Sequence, residues 1–144
     1  MDKERILAKL DEMEQYLGEL QSIVPDSFEE YAASMGTRRA AERLLQITIE
    51  AVMDTCALLV KELKLGLPSA EEEFVEKLKG RVLEPATVEN LKRMKSFRNL
   101  LVHGYAKIED QKVFEILEDG LEDFKDFKTQ VLKFLKSCME SSGI

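Results

Sequence analysis

Apolar residues recur along this chain at helical spacing almost from end to end. Ile6, Leu10, Met13, Leu17, Leu20 and Val24 follow one another at intervals of four, three, four, three and four. That heptad-like seam predicts a first helix over about 2–23. The segment Val24-Pro25-Asp26-Ser27 closes it, and Ser27 followed by Glu30 forms a capping-box pattern for a short second helix. Beyond residues 34–37, Ala41, Leu45, Thr48, Val52, Cys56 and Leu59 line one side of a long helix predicted over about 38–63. Residues 65–69 break the chain, and Ser69 with Glu72 then caps a short helix ending near Gly80. Pro85 and Thr87 open a helix carrying Val88, Leu91, Met94 and Leu101. Val113, Ile116, Leu117, Phe124, Phe127, Val131, Phe134 and Leu135 predict one last helix, long enough to span the domain. No strand-like alternation of useful length, internal repeat or low-complexity segment is present. The expected fold is all-α: a single domain over residues 1–144, built as an antiparallel bundle of four to five main helices with short connections.

Composition narrows this little but constrains the partners. A chain of 144 residues, 44% of them hydrophobic, is long enough to bury a core without disulfides or a structural metal. No stretch approaches the roughly 18 apolar residues of a membrane span, and the N-terminus is charged and amphipathic rather than signal-like. A cytoplasmic protein without a membrane partner is expected. Cys56 and Cys138 stand alone on apolar stripes, which reads as two small buried hydrophobes rather than a disulfide framework or zinc site. The net charge of −7 opposes a broad, non-specific grip on nucleic acid. Any contact with RNA must come from a local patch.

One such patch surrounds the only histidine. His103 precedes Gly104, an ordinary helix stop, and a histidine at a helix C-terminus also suits the dipole. A purely structural role would account for both. Nearby, however, Lys92, Arg93, Lys95 and Arg98 put four cations within seven residues of an acidic chain. Asn99 and His103, at i and i+4, share a helix face. Arg98 lies about 140° round from His103. A long flexible side chain, a loosened last turn, or a second copy of the chain could bring the pair together. Their chemistry is complementary for phosphodiester cleavage. Arginine's planar fork stabilises phosphate oxygens, and imidazole can move a proton to or from ribose oxygens near neutral pH.

The segment Phe97-Arg98-Asn99-Leu100-Leu101-Val102-His103-Gly104-Tyr105 resembles the Arg-x4-His-x-Tyr motif of HepT-like toxins, a branch of the HEPN (higher eukaryotes and prokaryotes nucleotide-binding) superfamily. The likeness extends in order and spacing over roughly residues 37–131. It implies an all-α homodimer with its active cleft on the two-fold axis. It also implies a metal-independent endoribonuclease that needs no cofactor and acts as a toxin beside a minimal nucleotidyltransferase antitoxin. By position, Arg98 and His103 match the catalytic pair and Asn99 the polar residue that follows the arginine. Tyr105 matches the tyrosine that the antitoxin modifies with AMP. Physics favours the dimer separately: proton transfer benefits from an acid and a base, and a C2 interface supplies two imidazoles and two guanidinium groups.

Glu42, Gln46, Glu50 and Asp54 form a polar stripe drifting about 40° per step; Glu42 and Gln46 read as its solvent face. Asp54, flanked by Val52, Met53, Cys56 and Ala57, is expected to be buried and to orient Arg98, or else to pair with Arg39. Metal chemistry has little support, since the Glu-x-x-His pairs of di-iron bundles are missing. The alternative to an RNA substrate is a non-catalytic helical module that binds a nucleotide or engages the nucleotidyltransferase.

Overall fold

The computed structural model describes residues 1–66, 71–104 and 108–142. Ser69 and Tyr105 lie outside them. All regular structure among the described residues is helical, apart from one isolated bridge between Lys79 and Leu83. The helices are α1 (Lys3–Ile23), α2 (Phe28–Ala33), α3 (Met35–Glu62), α4 (Glu71–Lys77), α5 (Pro85–His103), α6 (Asp110–Glu115) and α7 (Glu122–Ser142), with a π-helical turn over Ile116–Gly120.

The apolar seam of α1 packs along α3 and forms the middle of the core. Ile6, Leu10, Met13, Leu17 and Leu20 are all fully buried, as are Ala41, Leu45, Thr48, Val52, Cys56 and Leu59 facing them. The Asp2 backbone N–H donates to Glu62 Oε2 at 3.0 Å, so the start of α1 meets the end of α3 and the two run antiparallel. Burial pushes the Cys56 thiol well above its ordinary pKa, which leaves it chemically inert. Cys138, expected to be buried as well, is only half so.

Two boundaries differ from the sequence pattern. Helix α3 begins three residues earlier than expected, because Ser34 Oγ accepts the Thr37 N–H at 3.1 Å and caps it. Gly36 is thus absorbed into the first turn instead of marking a loop. The last helix is not continuous: the apolar run from Val113 to Leu135 divides at Ile116–Gly120 into α6, a π turn and α7. A π turn takes up one residue more than an α turn. That extra residue resets the phase so that Val113 before the turn, Leu117 within it, and Leu121, Phe124, Phe127, Val131 and Leu135 after it all reach the core. Gly120 lies close over Ile116, where an added Cβ would stand 3.3 Å from Ile116 Cγ2.

Helix α5, which carries the histidine, is seated from both ends. Pro85 occupies its first turn, where a missing N–H costs nothing. Glu84 provides no side-chain cap; Gln130 of α7 takes over, its Oε1 accepting the Glu84 N–H at 2.9 Å and its Nε2 donating to Thr87 Oγ1 at 2.7 Å. Thr87, Val88, Leu91 and Leu101 are buried, with Met94 and Phe97 packed against the core. Leu45 and Ile49 of α3 border the same cavity as Met94 and Phe97, so α5 runs back alongside α3.

Candidate active site

The last turn of α5 places Arg98 and His103 on different sides of the helix. His103 is exposed at the C-terminal residue, whereas Arg98 is half-buried. Five residues at 100° each leave them about 140° apart, and a single chain does not bring them onto one face. The guanidinium is instead oriented by its neighbour: Arg98 Nε donates to Asn99 Oδ1 at 3.0 Å. Asn99, which shares a helix face with His103 by spacing, thus spends its carbonyl oxygen on the arginine. That leaves its amide N–H group as the part with which it could meet an incoming anion.

Gly104 makes this end of the helix possible, for a reason that composition did not reveal. Its φ of −107° is open to any residue, so the left-handed conformation usual for a helix-stop glycine plays no part. Space is what matters. The Gly104 N–H donates to the Leu100 carbonyl at 2.7 Å, and an added Cβ would stand 2.8 Å from that oxygen and 2.5 Å from Leu100 Cδ1. Such a Cβ must displace backbone in the turn that holds His103. Gly104→Ala is expected to cost about 1–3 kcal/mol, read as a fall in Tm.

Asp54 does not belong to this site. It is exposed, not buried, and its Oδ2 lies 3.5 Å from Lys9 Nζ on α1. The 100° step explains the error: Val52, Met53 and Cys56 turn to the core, and residue 54 turns to the polar edge of α1. Arg39 is equally unavailable to it, since Arg39 Nη1 pairs with Glu42 Oε2 at 2.9 Å. Glu42 itself is less solvent-facing than its stripe suggested, with a side chain only 12% exposed. The drift of the stripe carries it from half-buried Glu42 to exposed Asp54.

The cations around the motif are tied down to different degrees. Lys92 Nζ is 2.6 Å from Glu76 Oε2 and 3.6 Å from Glu89 Oε1, and its hydrogen bond to Glu76 raises its pKa and secures its charge. Arg93 donates to Asn90 Oδ1, and Asn90 Nδ2 donates to Asp123 Oδ1 at 3.2 Å. Burial raises the Asp123 pKa, assisted by Asp126 and opposed by Arg93. Neither this Arg93–Asn90–Asp123 chain nor the Gln130 cap was anticipated. Both join residues more than thirty positions apart, and no local pattern marks them. Among the described residues, no three His, Cys, Asp or Glu side chains converge as a metal site would require.

The all-α bundle thus carries an arginine and a histidine five residues apart at the end of one helix. The Ribonuclease HepT-like family profile matches residues 13–131, and the chain belongs to that family. It is 27% identical over 138 residues to the tRNA nuclease HepT of Aphanizomenon flos-aquae, covering 95% of this chain and 94% of that protein. It is 30% identical over 84 residues to the mRNA nuclease HepT of Shewanella oneidensis, covering 58% and 63% respectively. Among solved structures, the tri-AMPylated Shewanella oneidensis HEPN toxin in complex with its MNT antitoxin superposes with a TM-score of 0.84 at 22% identity, over 92% of this chain and 99% of that one. This last likeness establishes the fold. The all-α architecture expected from the apolar pattern is therefore the one this solved toxin has.

Proposed function

We infer that this protein is a metal-independent endoribonuclease that acts as the toxin of a toxin–antitoxin pair. Its active cleft is formed where two copies of the chain meet. The observation that carries this reading is the placement of Arg98 and His103 on separate sides of α5, within a family of ribonucleases. Two such helices related by a two-fold axis can offer the arginine of one copy to the histidine of the other.

In that cleft Arg98, steadied by Asn99, receives the non-bridging oxygens of the scissile phosphate. One His103 accepts the proton of the ribose 2′-hydroxyl as its oxygen attacks phosphorus. The bond from phosphorus to the 5′-oxygen breaks, and the second His103 protonates that leaving oxygen. The products are a 2′,3′-cyclic phosphate end and a 5′-hydroxyl end. Arg98 supports the charge gathering on phosphorus during this exchange. Two arginines and two imidazoles in one cleft also answer the electrostatic objection raised by a net charge of −7. Purified protein is expected to cleave RNA at full rate in excess EDTA; activity that disappears with chelation and returns with a divalent ion would refute metal independence.

Tyr105 is the proposed control point. An AMP on its hydroxyl adds negative charge and bulk two residues from His103, repelling a phosphodiester. The antitoxin would be a minimal nucleotidyltransferase, the kind of partner present in the solved HEPN–MNT complex. Co-expression with such a partner should add one or more adenylate masses to the tryptic peptide containing Tyr105, and none in Tyr105→Phe.

A further inference from the structure

One wall of α5 continues the line of His103 away from the site. Ser96 and His103 are seven residues apart, hence within about 20° of each other around the helix, with Lys92 and Leu100 about 40° to either side of Ser96. Lys92, Ser96 and Leu100 of this stripe form the wall of an open groove of about 460 Å³ whose opposite side is Lys112 of α6. Its floor is apolar, made by the half-buried Phe97 and Leu100. Its rim is cationic: Arg93 and Lys112 are both exposed, and Lys112 holds no carboxylate among the described residues. The one acid on the rim, Glu89, is paired with Lys92. Arg93 borders both this groove and the neighbouring cavity, where Asn90, fixed by Asp123, accepts from its guanidinium. An apolar floor between two positive edges is the pattern that suits a nucleic-acid strand, with bases laid on the floor and phosphates at the rim.

We propose that the groove between α5 and α6 binds the single-stranded RNA flanking the scissile phosphate, with Arg93 and Lys112 holding backbone phosphates and Phe97 and Leu100 supporting a base. This rests on the nuclease reading above and adds to it the path by which the substrate approaches His103. From Lys92 to His103 the helix rises roughly 16 Å, the length of about five stacked nucleotides. The motif residues alone would contact one phosphate. The groove explains how a chain with an excess of acids keeps hold of a longer strand.

The test uses the full chain carrying His103→Ala, so that RNA is bound without being cut. A fluorescein-labelled, unstructured RNA decamer is titrated at several salt concentrations and followed by anisotropy. Adding Lys112→Glu or Arg93→Gln is expected to weaken binding several-fold at low salt. Each should flatten the slope of log K against log salt by close to one. With His103 intact, either substitution should lower kcat/KM by a similar factor, through KM. Affinity and slope equal to those of the His103→Ala parent would overturn the proposal. So would unchanged RNA binding accompanied by lost binding to a co-purified nucleotidyltransferase, which would assign the face to the protein partner. If the unsubstituted protein cuts no RNA and the His103→Ala parent binds none, the nuclease reading itself fails, and that result appears before any groove variant is made.

Discussion

Replacing His103 with alanine is expected to slow RNA cleavage by about 10²–10⁴-fold, the usual worth of a general acid or base. The fold should hardly notice. His103 is exposed, is the last residue of α5, and makes no contribution to the buried face of Thr87, Val88, Leu91 and Leu101. What it can lose in stability is a favourable interaction with the helix dipole, about 0.3–1 kcal/mol when charged. The measurement is a single-turnover rate on a labelled RNA beside a thermal melt of the same sample. A large loss of rate with an unchanged Tm identifies a group that acts on the substrate. Equal losses in both would return His103 to a structural role.

The second large effect falls on Arg98. Arg98→Ala should reduce the rate by about 10²–10³-fold, the range seen when one donor to a developing anion is removed. Arg98→Lys should recover only part of it, because an ammonium cannot span two phosphate oxygens as a guanidinium does. Some destabilisation is expected here as well. Arg98 is half-buried and its Nε occupies Asn99 Oδ1, which loses that donor in the alanine variant. The lysine variant separates the two causes: it keeps a charge and a long stem at the position, so a folded protein with a slow rate isolates the forked geometry as the missing element.

Much of this molecule could be read from the order of its residues. The seams Ile6–Leu20 and Ala41–Leu59 were legible because a 3.6-residue period has one solution when every apolar position lies on it, and each of those residues is buried. The break at Ile116–Gly120 was not legible. Apolar residues on either side fit a continuous helix nearly as well, and only packing decides that a π turn seats both halves better. Asp54 failed for a related cause: its chain neighbours Met53 and Thr55 are buried, yet one step of 100° from either carries a side chain out to the polar edge. The Arg98–His103 pair was visible as a motif. Its geometry was visible too, since helical arithmetic already placed the two apart. The space required at Gly104 was hidden, because a glycine that needs room and a glycine that needs a left-handed φ look alike in a sequence.

The shared cleft requires guanidinium and imidazole to act from different copies of the chain. Co-expressing Arg98→Ala and His103→Ala chains under two affinity tags, and purifying the species that carries both tags, tests this directly. Each parent should be nearly inactive. The mixed species pairs one intact His103 with one intact Arg98 across the axis but lacks the second imidazole, so it should cleave RNA faster than either parent and slower than the unsubstituted protein. A rate no higher than the parents' would contradict a guanidinium and an imidazole working together across the axis.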